Sequence, residues 1–277
     1  MVSIITGGAG GMGRATAEII GRDRPVVLGD IREDRLDNAV AELADLGIEV
    51  SALTCDVTDR QAVGALFEAA AAHGPLASVI HAAGVSPNMG DADYIMRTNA
   101  IGTLYVNEAF HDVAPEGAAI VNVASMAAHL VPPEMIPTGR FPLALQDDHA
   151  FLEAMSAFCA DFPQQTRSGF AYAVSKAFVR WYSSAQAERF TTRGQRIVSV
   201  SPGSVDTEMG RLEAEGGAGA LVADAAVPRW GRPEEMAELF AFCASERAGY
   251  LTGTDILNDG GVVASLHERA RVAAAAE

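Results

Sequence analysis

The chain has 277 residues, 49% of them hydrophobic, with a formal net charge of -16 and an isoelectric point near 4.7. That is ample apolar material for a sizeable core, in one large domain or two small ones, and the acidic balance excludes nucleic acid or an anionic membrane surface as expected partners, since both need clustered lysines and arginines. No apolar run is long enough to span a bilayer, the N-terminus enters a strand-like run without a basic leader, and the scattered Cys55, Cys159 and Cys243 suggest neither a disulfide framework nor a metal site, so a cytoplasmic, metal-free protein is expected.

Along the chain, short apolar runs alternate with longer segments of helical period, the pattern of a parallel sheet covered by helices on both faces. The strand candidates are VSIIT, PVVLGD, IEVSALTCD, LASVIHAAG, AAIVNVAS, QRIVSVSPG and GTDILNDGG. Seven strands separated by helices, with no linker breaking the series, predict one α/β domain over 1–277: a doubly wound, Rossmann-type, seven-stranded parallel sheet with right-handed crossovers. The first strand ends at Thr6 and runs into GGAGGMGRATAEII, a glycine cluster opening an amphipathic helix. Glycine lets the backbone approach a pyrophosphate and turn through dihedrals other residues avoid, and the helix N-terminus supplies unpaired amides and a partial positive charge. Gly8, Gly10 and Gly13 spell GxGxxG, while Thr6, Gly7, Gly11 and Gly13 spell TGxxxGxG; a purely structural turn is the competing reading. Asp30 closes the second strand, where the chain should reach an adenosine ribose. A carboxylate there accepts both ribose hydroxyls and repels a 2′-phosphate, which favours NAD, although Arg32 leaves room for NADP and Asp30 could simply cap the helix IREDRLDNAV.

Two stretches depart from regular alternation. One, residues 126–169, holds five prolines between a strand and a long helix and reads as an insertion. The other, residues 207–230, includes the Gly/Ala-rich EAEGGAGALVADAA and reads as a mobile substrate flap. The terminal RVAAAAE fits either a helical extension or a frayed tail. In SGFAYAVSKAFVRWYSSAQAERF, Tyr172 and Lys176 lie four residues apart on one helix face. An unperturbed phenol is a poor base at neutral pH, but a neighbouring ammonium and an oxidised nicotinamide would stabilise its phenolate.

TGGAGGMG, Asp56 in TCDV, HAAG at residues 81–84, Asn99 in RTNAIGT, Ser125 in VNVAS, YAVSK at 172–176 and SPGSVDT at 201–207 follow one another in the order and sheet positions of the short-chain dehydrogenases/reductases. The chain resembles that family from Ile5 to about Gly261. The resemblance implies Asn99, Ser125, Tyr172 and Lys176 as the catalytic group. Ser125 would hydrogen-bond the substrate oxygen, Tyr172 exchange its proton, Lys176 bind the nicotinamide ribose and lower the tyrosine pKa, and Asn99 hold a water linking Lys176 to solvent. The implied cofactor set is Thr6, Gly7, Gly11, Met12 and Gly13 in the glycine turn; Asp30 with Ile31; Asp56 and Val57 at the adenine; Ala82, Ala83 and Gly84; Tyr172 and Lys176; and Pro202, Gly203, Val205 and Thr207 around the nicotinamide. The cofactor would carry the hydride while the protein supplies alignment and a proton path.

His81 stands where most relatives have asparagine, and a structural role is expected for it. The long segment before Tyr172 resembles the bacterial 3α-hydroxysteroid dehydrogenase/carbonyl reductase subgroup, where it covers helices otherwise used for tetramers; this implies a homodimer, with a tetramer as runner-up. Most of Leu130, Val131, Met135, Ile136, Phe141, Phe151, Leu152, Met155, Phe158 and Phe162 should pack this segment onto the body. Those near its start, with Met209, Leu212 and Trp230 of the flap, suggest an apolar secondary alcohol or ketone: a steroid, terpenoid or aryl carbinol. The alternatives are a reductase of a polar metabolite, such as a sugar or acyl thioester, and a non-catalytic NAD-binding regulatory protein.

Overall fold

A computed structural model describes residues 1–214 and 219–275. Its strands are β1 (Val2–Thr6), β2 (Val26–Asp30), β3 (Val50–Thr54), β4 (Leu76–His81), β5 (Ala119–Val123), β6 (Arg196–Pro202) and β7 (Asp255–Asn258). All pair in parallel, in the order β3-β2-β1-β4-β5-β6-β7. The connections carry α1 (Gly11–Ile20), α2 (Glu33–Asp45), α3 (Arg60–Ala71), α4 (Ala92–Met96), α5 (Gly102–Val113), α6 (Ala127–Leu130), α7 (Asp148–Ala160), α8 (Gln164–Ala185), α9 (Ala187–Thr191), α10 (Glu208–Glu213), α11 (Gly219–Asp224), α12 (Pro233–Ala244) and α13 (Val262–Ala274).

Adjacent strand residues serve different cores, because side chains alternate across a pleated sheet buried on both faces. Ile4, Val79, Ile120 and Ile197 pack with α3, α4, α5 and α8. Their neighbours Ile5, Ile80, Val121 and Val198 pack with α1, α2 and α12. Every carboxyl end therefore opens on one edge of the sheet, and the strand order reverses between β1 and β4, the crevice where such sheets take ligands.

The stretch 126–169 is built rather than loose. It contains α6, two 3₁₀ turns over Pro133–Met135 and Thr138–Leu145, and α7, whose first turn is capped by Asp147 accepting from the Ala150 amide at 2.9 Å. The expected end of this segment moves: Pro163, with φ of -53°, starts α8 at Gln164, so residues 164–169 belong to the long helix. Phe141 meets the rings of Phe178 and Trp181 edge-on at 5.5 and 5.6 Å, and Phe151 lies 5.0 Å from Phe178, which closes the α8 face under aromatic contacts. In the expected flap, α10 and α11 are helical and residues 215–218 lie outside the described residues. The terminal run is helical through Ala274, and Ala276 and Glu277 also lie outside them.

Buried polar pairs fix the helices to the strands. Asn122 of β5 and Asn107 of α5 exchange amide hydrogen bonds of 2.8 and 3.0 Å, and Asn122 also donates to Ser183 of α8. His81 joins a longer chain. The Ala83 amide donates to Thr6 Oγ1, which stands 2.7 Å from His81 Nδ1; His81 Nε2 lies 3.1 Å from Thr103 Oγ1, and that hydroxyl donates to the Asn99 carbonyl. With the Thr103 proton committed to Asn99, one arrangement satisfies every link: Thr6 donates to Nδ1 and Nε2–H donates to Thr103.

The imidazole is thus neutral, and burial, aided by the Lys176 charge, pushes its pKa from 6.5 down to about 3. Between these values the unfolded chain binds a proton that the folded chain does not, so stability is complete above pH 6.5 and drains away as pH falls towards 3. Urea midpoints at pH 6.5 and 5.0 should show the wild type losing up to about 2 kcal/mol more than His81→Asn. Parallel losses in the two proteins would mean that His81 is charged in the fold.

Candidate active site

The nucleotide half of the crevice lies between the ends of β1, β2 and β4. Gly7 takes φ of +65°, and a Cβ there would stand 2.7 Å from the Ala83 nitrogen, so only glycine lets β1 turn over β4. No side chain caps α1, whose first turn faces the groove. A Cβ on Gly11 would meet the Thr207 side chain at 2.8 Å, so the turn and the flap touch across this helix end. Asp30 accepts from the amides of Ala9 at 3.3 Å and Arg32 at 3.2 Å, which fixes its carboxylate at the groove edge. Ile31, Asp56 and Val57 line the adjoining wall, with Asp56 braced by the Thr58 amide and hydroxyl. Gly13, Ala82, Ala83 and Gly84 form the floor, while Thr6 is buried beneath it in the His81 chain. This groove, of about 420 Å³, has the uncapped helix end, side-chain-free turn and edge carboxylate that fit a dinucleotide.

A cavity of about 880 Å³ adjoins it, sharing Met12, Ala82, Gly84, Val85, Thr207 and Met209. Ser125, just past β5, accepts from the Ala127 amide at 3.1 Å and is hydrogen-bonded to Tyr172. Lys176 lies one helical turn on, with its Nζ 5.9 Å from the centre of the Tyr172 ring, and donates to the Val123 carbonyl at 2.9 Å. Burial lowers the Lys176 pKa to about 8, against an opposing pull from Glu213. Burial raises the Tyr172 phenol, Glu213 raises it further, and the Ser125 hydrogen bond opposes both.

Asn99 is almost fully buried in a π-helical turn, 97–101, between α4 and α5. Its Oδ1 accepts from the Val85 amide, and its Nδ2 donates to the Val85 carbonyl and to Ser175 Oγ. It therefore clamps the loop after β4 to the helix that bears Tyr172 and Lys176. Pro202, Gly203, Val205 and Thr207 border the cavity on the β6 side; Thr207 accepts from the Gly210 amide, which leaves its own proton to donate.

Leu130, Val131 and Met135, from the start of the 126–163 segment, line the cavity, as does Phe162 from its end. Of the three flap residues expected there, Met209 does; Leu212 lines the nucleotide groove, and Trp230 packs behind, against Gly210. Several participants carry no motif. Val85 acts through its backbone, Arg35 enters the groove wall while paired with Glu208, and Glu213 closes the cavity from a run that reads as a featureless Gly/Ala tract. Among the described residues, no group of three or more His, Cys, Asp and Glu could hold a metal, and no helix is long and apolar enough to cross a membrane.

Comparison with known proteins agrees with this geometry. The short chain dehydrogenase family model matches residues 1–137, and the model described as enoyl-(acyl carrier protein) reductase matches 152–263. The short-chain dehydrogenase/reductase bsc3 of Alternaria brassicicola is 29% identical, over 94% of each chain. Cis-4-hydroxycyclohexanecarboxylate dehydrogenase of Sinomonas cyclohexanicum is likewise 29% identical, over 95% of this chain and 96% of its own. A short-chain dehydrogenase/reductase structure from Serratia marcescens superposes with a TM-score of 0.76 at 23% identity, over 95% of this chain and 97% of that one. The chain is an oxidoreductase of the short-chain dehydrogenase/reductase family.

Proposed function

We propose that this protein interconverts a mainly apolar secondary alcohol and its ketone, using NAD. The observation that carries this reading is the meeting of Ser125, Tyr172 and Lys176 in one cavity that opens directly onto the glycine-turn groove. When bound, the dinucleotide supplies the hydride acceptor or donor. The chain supplies the rest. Ser125, its oxygen already fixed by the Ala127 amide, donates to the substrate oxygen; Tyr172 takes the carbinol proton during oxidation and returns it during reduction. A buried phenol resists ionisation, so Lys176 has to stay charged beside it, and its Val123 bond holds the ammonium in place. Asn99 contributes as the clamp on Ser175, and the water it would hold next to Lys176 remains part of this proposal.

The preference for NAD rests on Asp30 at the ribose end and on the state of the nearby cations. Arg32 is engaged by Asp34 through two bonds of 2.9 and 2.8 Å, and Arg35 by Glu208 at 2.7 Å, so both guanidinium groups already have carboxylate partners. The apolar wall of Leu130, Val131, Met135, Phe162 and Phe170 supports a hydrophobic substrate, and the name of the Sinomonas relative is consistent with a cyclic secondary alcohol. We assign a homodimer, since α7 and the 138–145 turn lie over α8 and leave the outer edge of β7 and α13 for assembly.

Two experiments test the reading. Tyr172→Phe should lower kcat about a hundred- to ten-thousandfold while NAD affinity, followed by protein fluorescence, stays within a few fold; equal loss of both would remove Tyr172 from the proton path. Asp30→Ser should lower the ratio of kcat/KM with NAD to that with NADP by at least about tenfold, about 1.4 kcal/mol of discrimination. An unchanged ratio would refute the role of this carboxylate.

A further inference from the structure

The cavity beside Tyr172 is apolar on its outer wall, yet α10 brings a carboxylate into it. Glu213 lines the cavity, and its Oε1 is shut off from solvent with no hydrogen-bond partner among the described residues. The hydroxyl of Ser204, on the same lining, is in the same condition. Buried polar atoms are nearly always satisfied, and two unsatisfied ones in the lining of one cavity indicate a partner that arrives with the ligand.

Catalysis by the chain alone gives Glu213 no use. A fixed anion raises the Tyr172 phenol and so opposes formation of the phenolate. Burial in turn holds the Glu213 carboxyl above its ordinary range, with the Lys176 charge pulling the other way. A donor delivered by the substrate would satisfy Oε1, and a cationic donor would also offset the penalty on Tyr172.

We propose that Glu213, with Ser204, forms a subsite for a hydrogen-bond donor that the substrate carries away from its reacting carbon, a second hydroxyl or an amino group on an otherwise apolar ring system. The proposal rests on the reading of this cavity as the substrate site of an NAD-linked alcohol dehydrogenase, and it makes the preferred substrates cyclic diols or amino alcohols. Glu213 is then a specificity residue: it penalises analogues that leave it unpaired.

The test uses the full chain with NAD and matched alcohols of one, two and four fused rings, each ring system as the plain secondary alcohol, its diol and its amino alcohol. The wild type should favour the donor-bearing member of a turned-over set by at least about tenfold in kcat/KM. In Glu213→Leu that preference should shrink to within about twofold, with kcat/KM for the plain alcohol rising, because the uncompensated charge is gone. Glu213→Gln, close in shape, should keep a preference for the diol and lose that for the amino alcohol if the natural donor is a hydroxyl, and lose most of both if it is an ammonium. Equal turnover of plain and donor-bearing alcohols by the wild type, or a preference that survives in Glu213→Leu, would overturn the subsite and leave the dehydrogenase reading standing. No turnover of any set would overturn the dehydrogenase reading and the subsite with it.

Discussion

A lysine ammonium buried to 6% exposure, with the last carbonyl of β5 as its acceptor, is the constraint around which this site is arranged. Burying a cation is unfavourable unless donors and charges are satisfied in place, which is why its pKa falls to about 8. To reach Val123, α8 must lie close to the end of β5, and the small residues Ala173 and Ala177, near Lys176 on the helix circumference, are both buried. The facing loop has to give way as well. A Cβ on Gly84 would stand 3.0 Å from Asn99 Oδ1 and 3.3 Å from Lys176 Nζ, so the glycine of HAAG clears space for both side chains.

The same constraint links the nucleotide groove to the catalytic helix. The hydrogen bonds from Ala83 through Thr6, His81 and Thr103 end on the Asn99 carbonyl, while the Asn99 side chain reaches Val85 and Ser175. Neutral partners suit this path, since a charge on His81 would sit in the same low-dielectric interior as the Lys176 ammonium and repel it. A histidine can replace an asparagine here because its two ring nitrogens also accept on one side and donate on the other.

Much of this was legible in the sequence because it depends on local periodicity. Runs such as VSIIT and AIVNV, mostly apolar without a polar alternation, read as strands covered on both faces, and the spacing of Tyr172 and Lys176 fixes their common helix face without tertiary information. What escaped depends on contacts distant in sequence. The π-helical turn that aims Asn99 is set by its fit against Val85 and Ser175, partners 14 and 76 residues away. The helical start at Gln164 is hidden in the sequence because Gly169 weakens the local helical signal, while Arg167, donating to the Ala160 and Phe162 carbonyls, ties that turn down. Met209 and Leu212, three residues apart on one short helix, divide unequally, Met209 lining both chambers and Leu212 the nucleotide groove alone, an outcome that flap composition cannot foretell.

That short helix borders both chambers, and its contacts differ in strength. Among the described residues, α10 is joined across the groove by the Arg35–Glu208 pair at 2.7 Å and by Asn88 donating to the Leu212 carbonyl at 2.9 Å. Both contacts are exposed, and an exposed ion pair is worth about 0–1 kcal/mol, so they contribute little to fixing the position of α10. At its base, by contrast, Val205 bridges to Gly231 in a parallel β-bridge, and Thr207 caps the helix. Backbone pairing and the cap therefore place α10, and with it Met209, Leu212 and Glu213, while the exposed contacts add little.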